Sequence, residues 1–238
     1  MTARDSVQAV RALVIQHEQP TPGGYVHQWL VERGADQDTY RIDVEDRVVD
    51  PRDYQMIVSL GSEFAAFDDS VAWLSKEKQL LHEAARADVP MLGICFGGQL
   101  LARVLGGRSY RSEIAEIGWL PVRSKDHSML SDGPWFQWHF DTFTVPPGAR
   151  LVADSTVGPQ AFAIGRSLGV QFHPEVTPEI MDQWVSVYRH ELDQEGVDPD
   201  LLLEETHRRA DETRAAAWRL FDGFLARARR LREAVHGS

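Results

Sequence analysis

Residues 89–103, Val-Pro-Met-Leu-Gly-Ile-Cys-Phe-Gly-Gly-Gln-Leu-Leu-Ala-Arg, run from an apolar strand-like segment through a glycine-rich turn into a helix. A strand followed at once by a helix is the building unit of a parallel α/β sheet, and the rest of the N-terminal half repeats it. Residues 11–16 read as a strand, and Val26, Trp29, Leu30 and Arg33 mark an amphipathic helix. Extended segments are expected at 40–44, 54–60 and 89–94, with a capped helix starting at Asp69 or Ser70 and ending by Asp88. Between residues 117 and 172 the texture changes to short strands separated by Pro, Gly and Asp turns, at 118–123, 136–145, 151–153, 160–164 and 168–172. This predicts an antiparallel excursion within one domain. After Pro178 the chain reads helical with a break at 195–199, and Ala217, Leu220, Phe221, Phe224, Ala228 and Leu231 form one apolar stripe.

The turn also places a reactive group. Cys95, the single cysteine, sits where the strand ends, with Gly93 two residues before it and Gly97 two after to relieve crowding at a sharp bend. The helix beginning near Phe96 points its positive end at the sulfur, which favours the thiolate. The alternative reading is a small buried core residue, the usual fate of a free cysteine. The flanking glycines favour the nucleophile.

Composition narrows the setting. Hydrophobic residues make up 43% of 238, enough for a sizeable core. One cysteine excludes an intramolecular disulfide, so a reducing compartment, the cytoplasm, is expected. No apolar run approaches the roughly 18 residues of a membrane span, and a net charge of -11 argues against a nucleic-acid surface.

A second chemical segment is Gly-Val-Gln-Phe-His-Pro-Glu, residues 169–175. Pro174 biases His173 toward extended backbone, where residues two apart share a face, so Glu175 can stand beside the imidazole and fix its tautomer. Read alone, His173 is more simply a structural histidine and Glu175 an acidic group ahead of a helix. Metal binding by His139 and His173 is not expected, because no third ligand stands at motif spacing.

Taken together, Gly-Ile-Cys-Phe-Gly-Gly-Gln and Gly-Val-Gln-Phe-His-Pro-Glu, with Cys95 and His173 78 positions apart, resemble the signatures of class I glutamine amidotransferases. Within that family the chain looks most like free-standing proteins related to the glutaminase domain of GMP synthase, over about residues 11–190. The resemblance implies an α/β, flavodoxin-like three-layer fold with a mostly parallel sheet. Residues 1–10 would be an N-terminal tail, 11–190 the amidotransferase domain, and 191–238 a C-terminal helical extension too short for an acceptor domain. It implies Cys95 as nucleophile, His173 as base and acid, and Glu175 as its partner.

Further roles follow from the same likeness. The backbone N–H of Phe96 is one expected oxyanion donor. The second would come from Gly61 and Ser62, although family members commonly carry Gly-Gly-Pro where this chain has Leu60-Gly61-Ser62-Glu63. A serine there retains its N–H but cannot adopt every glycine φ. Gln99 is expected to help hold the substrate, or else to be a polar residue on a half-buried helix. His139 and Asp141, in a segment resembling the family's His-x-Asp, would face the α-amino and α-carboxylate end, or else line a solvated strand face. No cofactor is implied. Substrate would be glutamine or another γ-glutamyl compound, with a separate synthetase subunit as possible ammonia acceptor; a non-catalytic regulatory module of the same fold is the third reading. The sequence leaves the oligomeric state open.

Overall fold

The apolar strands of the N-terminal half are buried on both faces, and this makes them central strands of a sheet covered by helices on each side. In a computed structural model describing residues 10–236, the chain runs β1 (Arg11–Gln16), α1 (Gly24–Glu32), β2 (Asp36–Arg41), β3 (Met56–Ser59), α2 (Leu74–Arg86), β4 (Met91–Ile94) and α3 (Phe96–Val104). There follow β5 (Ser109–Leu120), β6 (Arg123–Ser124), β7 (Trp135–Phe143), β8 (Arg150–Asp154), β9 (Pro159–Ile164) and β10 (Ser167–Val170). Three helices complete it: α4 (Pro178–Val187), α5 (Arg189–Glu195) and α6 (Pro199–His236).

The main sheet has the order β2-β1-β3-β4-β10-β9-β8-β6. From β2 to β10 the pairings are parallel, and from β10 to β6 they are antiparallel. Strand alternation sorts the core into two layers. Ala12 and Val14 of β1 face α1 and α6 with Met56 and Val58, whereas Leu13 and Ile15 face α2 and α3 with Ile57. The result is the flavodoxin-like three-layer class expected from the sequence. The antiparallel excursion divides in two, because β5 and β7 pair with each other as a separate ribbon rather than joining the main sheet.

Several boundaries differ from expectation for local reasons. The second strand is Asp36–Arg41, not residues 40–44; it is an edge strand paired only with β1, so its largely polar sequence hides it. The helix expected from Asp69 or Ser70 starts at Leu74, because Asp68 accepts from the Ser70 N–H at 3.0 Å and closes a separate turn first. The strand expected at 118–123 begins at Ser109, since the ribbon is exposed there and its register slips between Arg111 and Glu116.

The long α6 lies back on the parent fold. Ala217, Leu220, Phe221 and Phe224 are buried in the core layer of α1, Ala228 is buried as well, and Trp29 donates to Asp222 at 3.0 Å across the α1–α6 seam. Of the proposed tail 1–10, all but Val10 lies outside the described residues. No helix among the described residues is long and apolar enough to cross a membrane.

Candidate active site

β4 ends at Ile94 and α3 begins at Phe96, which leaves Cys95 alone to make the reversal. It does so at φ 50 and ψ -108, a conformation that a side-chain-bearing residue holds only against strain of about 1–3 kcal/mol. Three glycines make the bend sterically possible. A Cβ at Gly93 would lie 2.4 Å from the Gly97 carbonyl oxygen, one at Gly97 2.1 Å from that of Ser59, and one at Gly98 2.4 Å from that of Val170. Gly93 and Gly97 were legible from the sequence; the need for Gly98 was not, because it depends on a strand 72 positions away.

That strand delivers the histidine. β10 pairs in parallel with β4, Leu168 opposite Leu92 through Val170 opposite Ile94, and the Cys95 N–H continues the ladder to Val170 O at 2.9 Å. The chain past the end of β10 therefore emerges beside the elbow. His173 is anchored by its own N–H to Phe136 O at 2.8 Å, and its Nδ1 lies 2.7 Å from Glu175 Oε1. Because a carboxylate accepts, Nδ1 carries the proton. Nε2 is buried with no hydrogen-bonding partner in the protein. Burial alone would depress the imidazole pKa, but the Glu175 carboxylate and the neighbouring Cys95 sulfur outweigh it and hold it well above the ordinary histidine value. The sulfur itself is placed between Trp138 O at 3.9 Å and Gln171 Nε2 at 3.7 Å.

The acid's backbone is held as firmly as its side chain. Tyr25 N–H at the start of α1 donates to Glu175 O at 2.9 Å, and a Cβ on Gly24, at φ 43, would sit 2.1 Å from that oxygen. The Gly23-Gly24 pair is the sequence signal for this close approach.

Gly61 and Ser62 lie on the opposite side of the elbow. A Cβ at Gly61 would be 3.1 Å from His173 Cε1 and 4.0 Å from Cys95 Cβ, so this loop closes over the two residues. Ser62 has no positive φ, so serine fits its backbone without strain, and its hydroxyl instead pins the loop by donating to Glu18 Oε1 at 2.6 Å. Among the described residues, the N–H groups of Phe96 and Ser62 have no protein acceptor.

A cavity of about 190 Å³ opens on these groups, lined by Cys95, His173, Gly61, Ser62, Phe96, Gln99, His139 and Asp141, with Glu63, Arg111 and a rim of aromatic rings. It is smaller than the roughly 300–1,000 Å³ of drug-sized pockets and matches the scale of one amino acid. Gln99 donates to Asp141 O at 3.0 Å and Gln171 Oε1 at 3.3 Å, so its amide N–H groups bridge the elbow helix to the ribbon. Both His139 ring nitrogens are taken within the protein, by Asp141 O at 3.0 Å and Gln137 Oε1 at 3.1 Å, which leaves its ring edge no free polar atom for a ligand. Asp141 keeps its carboxylate toward the cavity; burial raises its pKa, opposed by Arg111 at 3.5 Å. Arg111 had no sequence signal beyond its charge, since the bulged ribbon that brings it to Asp141 was not foreseen.

Fold and site together define an α/β protein with a cysteine, a carboxylate-oriented histidine and two free amide N–H groups gathered at the C-terminal ends of parallel strands. Residues 25–186 match the family profile "Glutamine amidotransferase class-I", and the chain belongs to that family. Among curated relatives, the GMP synthase [glutamine-hydrolyzing] of Aeropyrum pernix is 36% identical over 129 residues, 48% of this chain and 25% of that protein. The chain thus spans about a quarter of the length of the curated relatives it matches. Solved structures of a glutamine amidotransferase from Thermotoga maritima (TM-score 0.84, 32% identity, 90% of this chain and 97% of that one) and of one from Methylobacillus flagellatus (TM-score 0.84, 26%, 92% and 95%) share the fold.

Proposed function

We propose that the protein hydrolyses the side-chain amide of glutamine through a γ-glutamyl thioester on Cys95. The observation that carries this reading is the juxtaposition of strained Cys95 with an imidazole whose Nδ1 is held by Glu175 and whose Nε2 is unpartnered. The Cys95 thiolate attacks the carboxamide carbon, the C–N bond breaks, and His173 Nε2–H protonates the departing ammonia. Water, deprotonated by the same nitrogen, then cleaves the thioester and releases glutamate. Each tetrahedral intermediate carries an oxyanion that needs donors at about 2.7–3.1 Å, supplied in this reading by the N–H groups of Phe96 and Ser62. Asp141 and Arg111 form a carboxylate and guanidinium pair that suits the α-amino and α-carboxylate groups. The ammonia would pass to a separate synthetase, as the likeness to GMP synthase suggests.

A second reading, hydrolysis of γ-glutamyl amides or peptides, is favoured by the cavity mouth. Glu63 and Glu191 there, with the nearby Glu18, add to burial in holding the Tyr188 hydroxyl above its usual pKa, and Phe64 and Trp184 also line the mouth. Carboxylates and aromatic faces suit a neutral or cationic leaving group. Incubating the isolated protein with glutamine and a panel of γ-glutamyl peptides, and following glutamate release, decides between the two. Absence of release from every compound would leave the regulatory-module reading.

Two expected results arise here. Glu175→Gln should impair the rate less than His173→Ala and leave KM within about twofold, because the acid orients the imidazole without touching substrate; a wild-type rate would remove Glu175 from the mechanism. Glu63→Gln should change the ratio of kcat/KM values among γ-glutamyl compounds with differently charged leaving groups more than it changes turnover of glutamine. A ratio constant within about twofold would make Glu63 a surface residue.

A further inference from the structure

We propose that His17 and Glu77, which lie behind the cavity and touch no reacting atom, are positioning residues that lock the Gly61–Ser62 peptide with its N–H toward the oxyanion; the proposal rests on the hydrolytic reading above. His17 follows directly on β1, and both residues are fully buried. Nδ1 of His17 lies 2.9 Å from Gly61 O, and Nε2 lies 2.9 Å from Glu77 Oε2. A carbonyl only accepts, so Nδ1 carries a proton. In a neutral ring Nε2 would then present a lone pair to a carboxylate, which is repulsive. A proton must therefore sit between Nε2 and Glu77, as an imidazolium with a carboxylate or an imidazole with a carboxylic acid, and the pair is net neutral in both forms. Burial opposes the charge on His17, Glu77 outweighs it, and the histidine pKa is raised.

The other side of the pair is equally constrained. Ser59 Oγ donates to Glu77 Oε1 at 2.7 Å, while the His17 ring stacks on Trp73 at 4.9 Å and meets the Phe96 edge at 4.7 Å. The ring cannot rotate away without breaking both hydrogen bonds in a dry site. Across one planar trans peptide the C=O and N–H point in opposite directions. Holding Gly61 O on His17 thus fixes the Ser62 N–H away from His17, on the loop that closes over Cys95 and His173. A flipped peptide would orphan the Nδ1–H and turn an oxygen toward the oxyanion.

The test uses the full chain with glutamine, or with γ-glutamyl p-nitroanilide where that turns over faster. Loss of an oxyanion donor costs about 10²–10³ in kcat, and its misorientation in His17→Ala is expected to cost about 10–10² with KM within about twofold. Pre-steady-state ammonia or nitroaniline release should fall by the same factor. Alkylation of Cys95 by iodoacetamide, which develops no oxyanion, should stay within about twofold of wild type. Glu77→Gln, whose amide can accept from Ser59 and donate to Nε2, should recover most of the rate lost in Glu77→Leu. His17→Asn, retaining a donor toward Gly61 O, should fall between wild type and His17→Ala.

Wild-type kcat in His17→Ala, or an equal loss in acylation and alkylation across these variants, would overturn the positioning role. Absence of turnover by the wild-type protein on every substrate would instead overturn the hydrolytic reading itself.

Discussion

Cys95→Ala is expected to reduce glutamate release by about 10⁴-fold or more, and His173→Ala by a comparable factor, because a nucleophile and its base act as one unit and losing either removes the covalent route. The double variant should then be scarcely worse than either single one. A glutamine-derived electrophile should label wild-type protein at Cys95 alone, mapped by peptide mass. Cys95→Ala keeps its Cβ at the bend and should hold the urea midpoint near wild type, whereas His173→Ala leaves the buried Glu175 carboxylate unpaired and should lower it, so its rate is read on folded protein. Labelling at another residue, or substantial turnover in Cys95→Ala, would sink the assignment.

Gly97→Ala should be strongly destabilising. Its Cβ would meet Ser59 carbonyl oxygen at 2.1 Å and Ser59 Oγ at 2.5 Å, and the first of these is backbone of a central strand with nowhere to move. Helix α3 must then lift from β3. Overpacking a rigid contact of this kind costs about 3 kcal/mol or more, read as a fall in ΔG from urea unfolding. The lift also breaks the Gly97 N–H bond to Leu60 O at 3.0 Å, which ties the elbow to the Gly61–Ser62 loop, so activity should fall further than stability alone explains. Gly158→Ala is the control, because its nearest heavy atom is 3.8 Å away; it should stay within about 1 kcal/mol of wild type. Equal costs at the two positions would refute the packing argument.

What the sequence disclosed and what it withheld divide along sequence distance. The strand, turn and helix around Cys95 lie within fifteen residues, and local pattern sufficed to read them. The pairing of His173 with Glu175 is an i, i+2 relation in extended chain and was equally legible. Gly98, His17 and Arg111 act on partners that the fold brings from far along the chain, so nothing in their neighbourhoods marked them. Edge strand β2 and the bulged ribbon failed for a different reason: exposed backbone needs no apolar alternation, and periodicity has nothing to report there.

The joining of β4 to β10 has a consequence for how the protein comes into being. Leu92 and Leu168 are 76 positions apart, and parallel pairing at such separation is slow because a long loop must be closed before any contact rewards it. A growing chain carries β3, β4, α3 and the thiol well before β10, whose Val170 O completes the elbow, and the His173 that follows it have been synthesised. Under the proposed mechanism, reactivity is then expected to rise when the last parallel strand docks. Enhanced alkylation at the single cysteine would serve as a clock for that event during refolding, and a chain arrested before residue 173 would carry sulfur without a base.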